Sequence, residues 1–182
     1  MFTQQSLFPN DDIEPGVEPF PLAVGELPHR PIILLDLNFT LVANSPEKRK
    51  QRGPYIAKIQ QETYRLWLVS LLREYYTVLY TVRFEQYRTP TLARIQAMAD
   101  WQPEEAYFNP TDGYDAPAVK RAYLEQFVFP VHGGPDETAY LALESNRAVR
   151  SMLRAQFAIP AQRVGDMRWN ALPGADLPLH NL

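Results

Sequence analysis

Four residues of this chain carry side chains suited to moving a phosphoryl group: Asp36, Thr81, Lys120 and Glu144. Asp36 closes the apolar run PIILLD, Thr81 follows YTVLY, and Glu144 closes AYLALE. A carboxylate can attack phosphorus and form an aspartyl phosphate. A hydroxyl and an ammonium can hold the non-bridging oxygens. A second carboxylate can hold Mg²⁺, which takes oxygen ligands and keeps several waters. Arg83, two residues beyond Thr81, adds a cation for phosphate binding, and Asn38 sets an amide two residues beyond Asp36. Read alone, Asp36 serves equally well as a turn or cap residue.

The elements that must position these groups are legible as an alternation. PIILLDL is a short continuous apolar run, which reads as a strand covered on both faces. YTVLYTV over 76–82 is β-branched and aromatic, hence a second buried strand. EAYFN over 105–109, AYLALE over 139–144 and QRV over 162–164 read as three more. Between them Ser45 is expected to cap a helix with Pro46 in its first turn. A helix is expected over 55–73, with Ile56, Ile59, Thr63, Leu66 and Ser70 on one face. TPTLARIQAMADW reads as helix, Asp115 as the cap of a helix over 116–127, and Ser145 as the cap of a helix over 146–156. Such alternation implies an α/β, three-layer, Rossmann-like parallel sheet with helices on both faces. In open sheets of that kind ligands bind outside the carboxyl ends of the strands, which is where Asp36 and Glu144 fall.

The segment ILLDLNFTLV resembles the first motif of the haloacid dehalogenase-like (HAD) superfamily, usually hhhDxDxT. Thr81 matches its second motif, Lys120 its third and Glu144 its acidic fourth, and DGYDAPAVKRAYLEQF is similar to the third-motif region in the phosphatase domain of polynucleotide kinase/phosphatases. The resemblance spans about residues 31–165. It implies Asp36 as nucleophile and Mg²⁺ ligand, the Asn38 carbonyl as a second ligand and Thr40 as a support for the loop. It further implies Thr81 as the phosphoryl-binding hydroxyl, Lys120 as the neutralising cation, and Glu144 as reaching the metal directly or through water. Two departures stand out. The family usually carries an acid where this chain has Asn38, and an amide cannot shuttle a proton at neutral pH. General acid–base catalysis is typically worth ~10²–10⁴ in rate, so Asn38 implies a slow phosphatase, an acid borrowed from elsewhere, or a site that does not turn over. Glu144 stands where Asp is more usual. Neither gap between motifs has room for a large cap domain, so a capless member is expected, open to a large substrate such as a nucleic-acid end bearing a 3'-phosphate. The alternative is an inactive HAD-like adaptor.

The chain has 182 residues, a net charge of -3 and no cysteine, which excludes disulfides and thiolate metal sites. No run approaches the ~18 apolar residues of a membrane span, and no signal peptide is read, so a cytoplasmic protein is expected. Residues 1–30 form an acidic leader, 31–165 the domain, and 166–182 a C-terminal tail. Proline at Pro9, Pro15, Pro19, Pro21 and Pro28 predicts an extended or disordered leader. Within it QQSLF resembles the short peptide that docks bacterial replication and repair proteins on the sliding clamp. Gln4 would bond at the rim while Leu7 and Phe8 anchor in an apolar pocket. Lys48, Arg49, Lys50 and Arg52 offer a phosphate-tracking cluster or simply a solvated helix start. Arg147, Arg150 and Arg154 read as a wet helix face.

Overall fold

Apolar side chains that alternate along five strands dictate the architecture. The computed structural model describes residues 30–111 and 113–164; the QQSLF peptide and the C-terminal tail lie outside the described residues. The strands are β1 (Ile32–Leu35), β2 (Thr77–Phe84), β3 (Glu105–Asn109), β4 (Tyr140–Leu143) and β5 (Ala161–Gln162). All neighbours pair in parallel, in the order β3-β2-β1-β4-β5. Leu35 lies opposite Leu79 on one side and Leu143 on the other. Among the described residues the α-helices are α1 (Ser45–Lys50), α2 (Tyr55–Gln60), α3 (Leu66–Leu72), α4 (Arg88–Ala99), α5 (Ala116–Tyr123), α6 (Phe129–His132) and α7 (Arg147–Phe157).

The period-2 rule of a strand sends successive residues to opposite faces. Ile33, Leu35, Leu79 and Leu143 pack with Leu68 and Leu72 of α3 and Ile95 of α4. Leu34, Val78, Tyr80 and Ala142 pack with Tyr123 of α5 and with Val149 and Leu153 of α7. Each large apolar side chain so buried contributes about 1.5–3 kcal/mol. The result is helix–sheet–helix layering, a Rossmann-like arrangement. Because β1 feeds β2 on one side while β4 lies on the other, the strand order reverses between β1 and β4. The carboxyl ends of those two strands flank the switch-point crevice.

Several expectations are corrected. The helix over 55–73 is two helices, because residues 61–65 leave the helical path. Ala43 N donates to Thr63 O at 2.8 Å and Arg65 N donates to Leu41 O at 3.0 Å, so this stretch pairs with the loop after β1. Glu62 and Arg65 are buried there, and Arg65 Nη1 donates to Thr40 O and Val42 O at 2.5 and 3.0 Å. Tertiary ion pairing thus overrides helical spacing. Ile59 is buried, but Ile56 and Leu66 are 41% and 56% exposed. The chain continues from α5 through a wider π turn over Leu124–Val128 into α6, where one helix over 116–127 was expected. Asp115 caps α5 as expected, accepting from Ala118 N. Ser45 and Ser145 do not cap: Asn44 holds the N-cap position of α1, and Asn146 Oδ1 accepts from Ala148 N and Val149 N at α7. Ser45 Oγ accepts from Phe39 N at 2.7 Å and donates to Val42 O. Arg150 is not a wet residue but buried, donating to Glu144 O and Ser145 O.

Candidate active site at the switch point

The sheet hands Asp36 directly to the crevice. Its backbone N–H donates to Leu143 O at 2.9 Å, which carries the β1–β4 ladder one residue beyond β1. Asp36 is 5% exposed. Lys120, on the buried side of α5 and 1% exposed, donates from Nζ to Asp36 Oδ1 at 2.7 Å and to Glu144 Oε2 at 2.6 Å. Two carboxylates remote in sequence therefore share one ammonium. Tyr80 OH donates to Glu144 Oε2 at 3.1 Å, Asn146 N donates to Glu144 Oε1 at 2.8 Å, and the ammonium lies 4.4 Å from the centre of the Tyr80 ring. Burial and then the charge of Asp36 push Glu144 up to about 7, against the pull of Lys120. Burial by itself would lower Lys120, but the two carboxylates outweigh it and its pKa is raised.

The second oxygen of Asp36 is held by hydroxyls. Thr40 Oγ1 donates to Oδ2 at 3.0 Å. Ser145 Oγ lies 2.7 Å from Asp36 Oδ2 and 3.0 Å from the Asn38 carbonyl oxygen. One hydroxyl has one proton, so it donates to one of the two at a time. The loop that presents Asn38 turns through Phe39, whose backbone is left-handed at φ 62.

Thr81 is fully buried beyond the Leu35–Leu79 pairing. Its Oγ1 accepts from Arg83 N at 3.2 Å; that contact uses a lone pair and leaves the hydroxyl proton for another acceptor. Arg83 turns toward a second buried cluster. Its Nη2 donates to Glu62 Oε1 at 2.5 Å and to Asn38 Oδ1 at 3.0 Å, and its Nη1 donates to Thr91 Oγ1 at 2.7 Å. Lys48 Nζ also pairs with Glu62 and donates to Asn38 Oδ1 at 3.2 Å. Burial, then the nearby Arg83, lowers the pKa of Lys48. Lys48 is thus neither a solvated nor a backbone-tracking residue, whereas Arg49, Lys50 and Arg52 are exposed. Lysine and arginine side chains have donors only, so the Asn38 atom they share must be oxygen. The other end of that amide is an N–H donor, on a residue that lines an adjoining cavity of about 200 Å³.

Sequence reasoning found Asp36, Lys120, Glu144, Thr40 and Asn38 but missed Ser145, Tyr80, Glu62 and the buried role of Lys48. Ser145 had a signal in its place directly after Glu144 at a strand end. Glu62 had none, since it lies inside an apparently helical stretch.

Asp36 Oδ2 and the Asn38 carbonyl both lie within hydrogen-bond distance of Ser145 Oγ, a set of oxygens of the kind a hard cation takes as ligands. Both oxygens of Glu144 accept from Lys120, Tyr80 and Asn146, just as both oxygens of Asp36 accept from Lys120, Thr40 and Ser145. Among the described residues no group of three His, Cys, Asp or Glu side chains is arranged to hold a metal, and no helix is long and apolar enough to cross a membrane.

No protein-family model matches the chain, and no curated protein does. Solved structures do. A chain of a Pnkp1/Rnl/Hen1 complex is similar at TM-score 0.57 and 20% identity, over 75% of this chain and 47% of that one. A chain of the Pnkp1/Rnl/Hen1 RNA repair complex is similar at TM-score 0.55 and 21% identity, over 75% and 44%. This chain spans about half the length of the chains it matches. At such identity the likeness is one of fold.

Proposed function

We propose that the chain is a capless HAD-type phosphohydrolase that removes a phosphate, for instance a 3'-phosphate, from a nucleic-acid end. The observation that carries this reading is the single ammonium of Lys120 held between Asp36 and Glu144 at the switch-point edge. The fold likeness to a component of an RNA repair complex supports the nucleic-acid end as substrate.

The Asp36 carboxylate acts as nucleophile. Its attack forms an oxygen–phosphorus bond and breaks the ester bond to the leaving hydroxyl. Lys120 offsets charge on the phosphoryl oxygens and on Asp36, and the Thr81 hydroxyl donates to one of those oxygens. Asn38 has no proton to give at neutral pH, so the leaving oxygen takes its proton from water and the amide only donates a hydrogen bond. A second water attacks phosphorus, freeing phosphate and restoring the carboxylate. Asp36 Oδ2, the Asn38 carbonyl and Ser145 Oγ would hold Mg²⁺, with water completing the shell. Such an ion supplies electrophilic stabilisation of the phosphoryl oxygens. Glu144 contributes by fixing Lys120. The connections between β1 and β2 and between β2 and β3 hold short helices, turns and isolated bridges joining Val42 to Asn38 and Tyr64, with no inserted sheet among the described residues, which supports an uncapped site.

Asn38 also supports a second reading: an inactive HAD-like adaptor, docked to a replication or repair complex through Gln4, Leu7 and Phe8. The two readings separate in one assay, phosphate release from a 3'-phosphorylated oligonucleotide with Mg²⁺. The wild type is expected to release phosphate and Asp36→Asn only background. Equal background release from both overturns the enzyme and leaves the adaptor, for which clamp capture with and without residues 1–8 is the direct test.

A further inference from the structure

The cavity beside Asn38 is walled by aromatic rings that the phosphoryl chemistry does not use. Tyr55 and Tyr87 pair at 4.6 Å between ring centres, and Phe84 and Tyr114 pair at 4.9 Å. All four line the same space, together with Asn38 and Arg83. Tyr114 touches Phe84 and is nonetheless 70% exposed, so much of its ring is open to solvent. A base has two flat faces, and an exposed ring over a roomy cleft offers one of them a stacking partner.

The cluster behind the cavity wall, which Arg83 joins to the cavity itself, adds a charge argument. Lys48 and Arg83 converge on one carboxylate, Glu62, so the buried cluster carries one positive charge in excess. Arg83 has a fully buried side chain, and its Nε–H finds no hydrogen-bond partner among the described residues. An uncompensated buried cation and an unsatisfied donor both favour an anionic, acceptor-rich ligand. Asn38 stands between the cavity and the catalytic edge: its carbonyl reaches Ser145 and its side chain meets Arg83.

We propose that this cavity seats the terminal nucleotide of the substrate, with Tyr114 and Phe84 stacking on its base and Arg83, which lines the cavity, facing its backbone phosphate. The inference rests on the nucleic-acid-end reading and names the part of the substrate that the phosphoryl site itself cannot recognise. The shared chemistry, a phosphate monoester attached to an aromatic base, is also that of a free nucleotide.

The test is calorimetric titration of the full chain with four probes: inorganic phosphate, abasic ribose 3-phosphate, a nucleoside 3'-monophosphate and a 3'-phosphorylated tetranucleotide. The two base-bearing probes are expected to bind about five- to a hundredfold more tightly than the abasic one. Tyr114→Ala should abolish that advantage, Tyr114→Phe should keep it, and neither should change the affinity for inorganic phosphate. Equal binding of abasic and base-bearing probes by the wild type overturns the base seat while leaving the phosphoryl site standing. Binding of base-bearing probes with no binding of inorganic phosphate supports the seat and overturns the phosphatase reading. Exclusion of the tetranucleotide alone assigns the cavity to a free nucleotide and overturns the end as substrate.

Discussion

Two buried charge clusters flank the loop after β1, and they are opposite in sign. On one side Lys120 stands between two carboxylates, Asp36 and Glu144. On the other, Glu62 stands between two cations, Lys48 and Arg83. The first has an excess of acid and a strand-end carboxylate to do chemistry with. The second has an excess of cation and reaches toward the crevice through an amide, Asn38. The difference separates two jobs that a phosphate site needs: a nucleophile whose charge is managed, and a wall that welcomes an anion.

Removing the centre of either cluster tests whether the pairing is needed. Lys120→Met leaves two buried carboxylates facing each other, and stability is expected to fall by about 3–5 kcal/mol in chemical denaturation, with phosphate release at background. Glu62→Gln leaves two buried cations without their carboxylate and is expected to cost a similar, slightly smaller amount, since water reaches Asn38. Adding Asn38→Asp to Glu62→Gln supplies a new carboxylate to the same cations and should recover part of the loss; no recovery would mean that the two cations do not act through Asn38. In the wild-type background Asn38→Asp is expected to raise phosphate release about 10²–10⁴-fold. An unchanged rate would show that Lys48 and Arg83 keep the new carboxylate ionised and unable to donate.

The two clusters should also answer pH differently. Glu144 is raised from its ordinary value to about 7 by burial and by Asp36. A carboxyl raised in the folded state binds its proton more tightly there than in the unfolded chain. Its contribution is therefore fully present below about pH 4.5 and is lost as pH rises through about 7. Thermal melts across that window should show a decline in wild type that Glu144→Gln flattens. Smaller again is Ser145→Ala, which removes one hydroxyl contact to a charged oxygen and should cost about 1.5–3 kcal/mol. A loss of Mg²⁺ stabilisation beyond that in the same variant would assign Ser145 a place beside the ion.

The acid-rich cluster was legible in the sequence because its members sit at positions with local signals. Asp36 and Glu144 close apolar runs, and Lys120 lies one turn into a helix that Asp115 announces. Parallel strands present their carboxyl ends to one edge, and the pairing of β1 with β4 sets Asp36 and Glu144 side by side there. The cation-rich cluster was hidden for an equally physical reason. Glu62 meets Lys48 and Arg83 only after residues 61–65 abandon the helix, and nothing in the apolar spacing of 55–73 marks that break. Ser145 was misread because serine before a helix is usually its cap; here Asn146 takes that role and frees the hydroxyl for Asp36. The leader peptide and the tail lie outside the described residues.

Phe39 has one more consequence. A side chain other than glycine in the left-handed region carries an intrinsic cost of roughly 1–2 kcal/mol, and here the backbone N–H tethered to Ser45 maintains it. A bend that is already under tension and already fastened has little adjusting left to do when a guest arrives. Entry to this edge should therefore be a single fast phase, without a slow settling of the chain behind it, and Phe39→Gly should trade that readiness for slack.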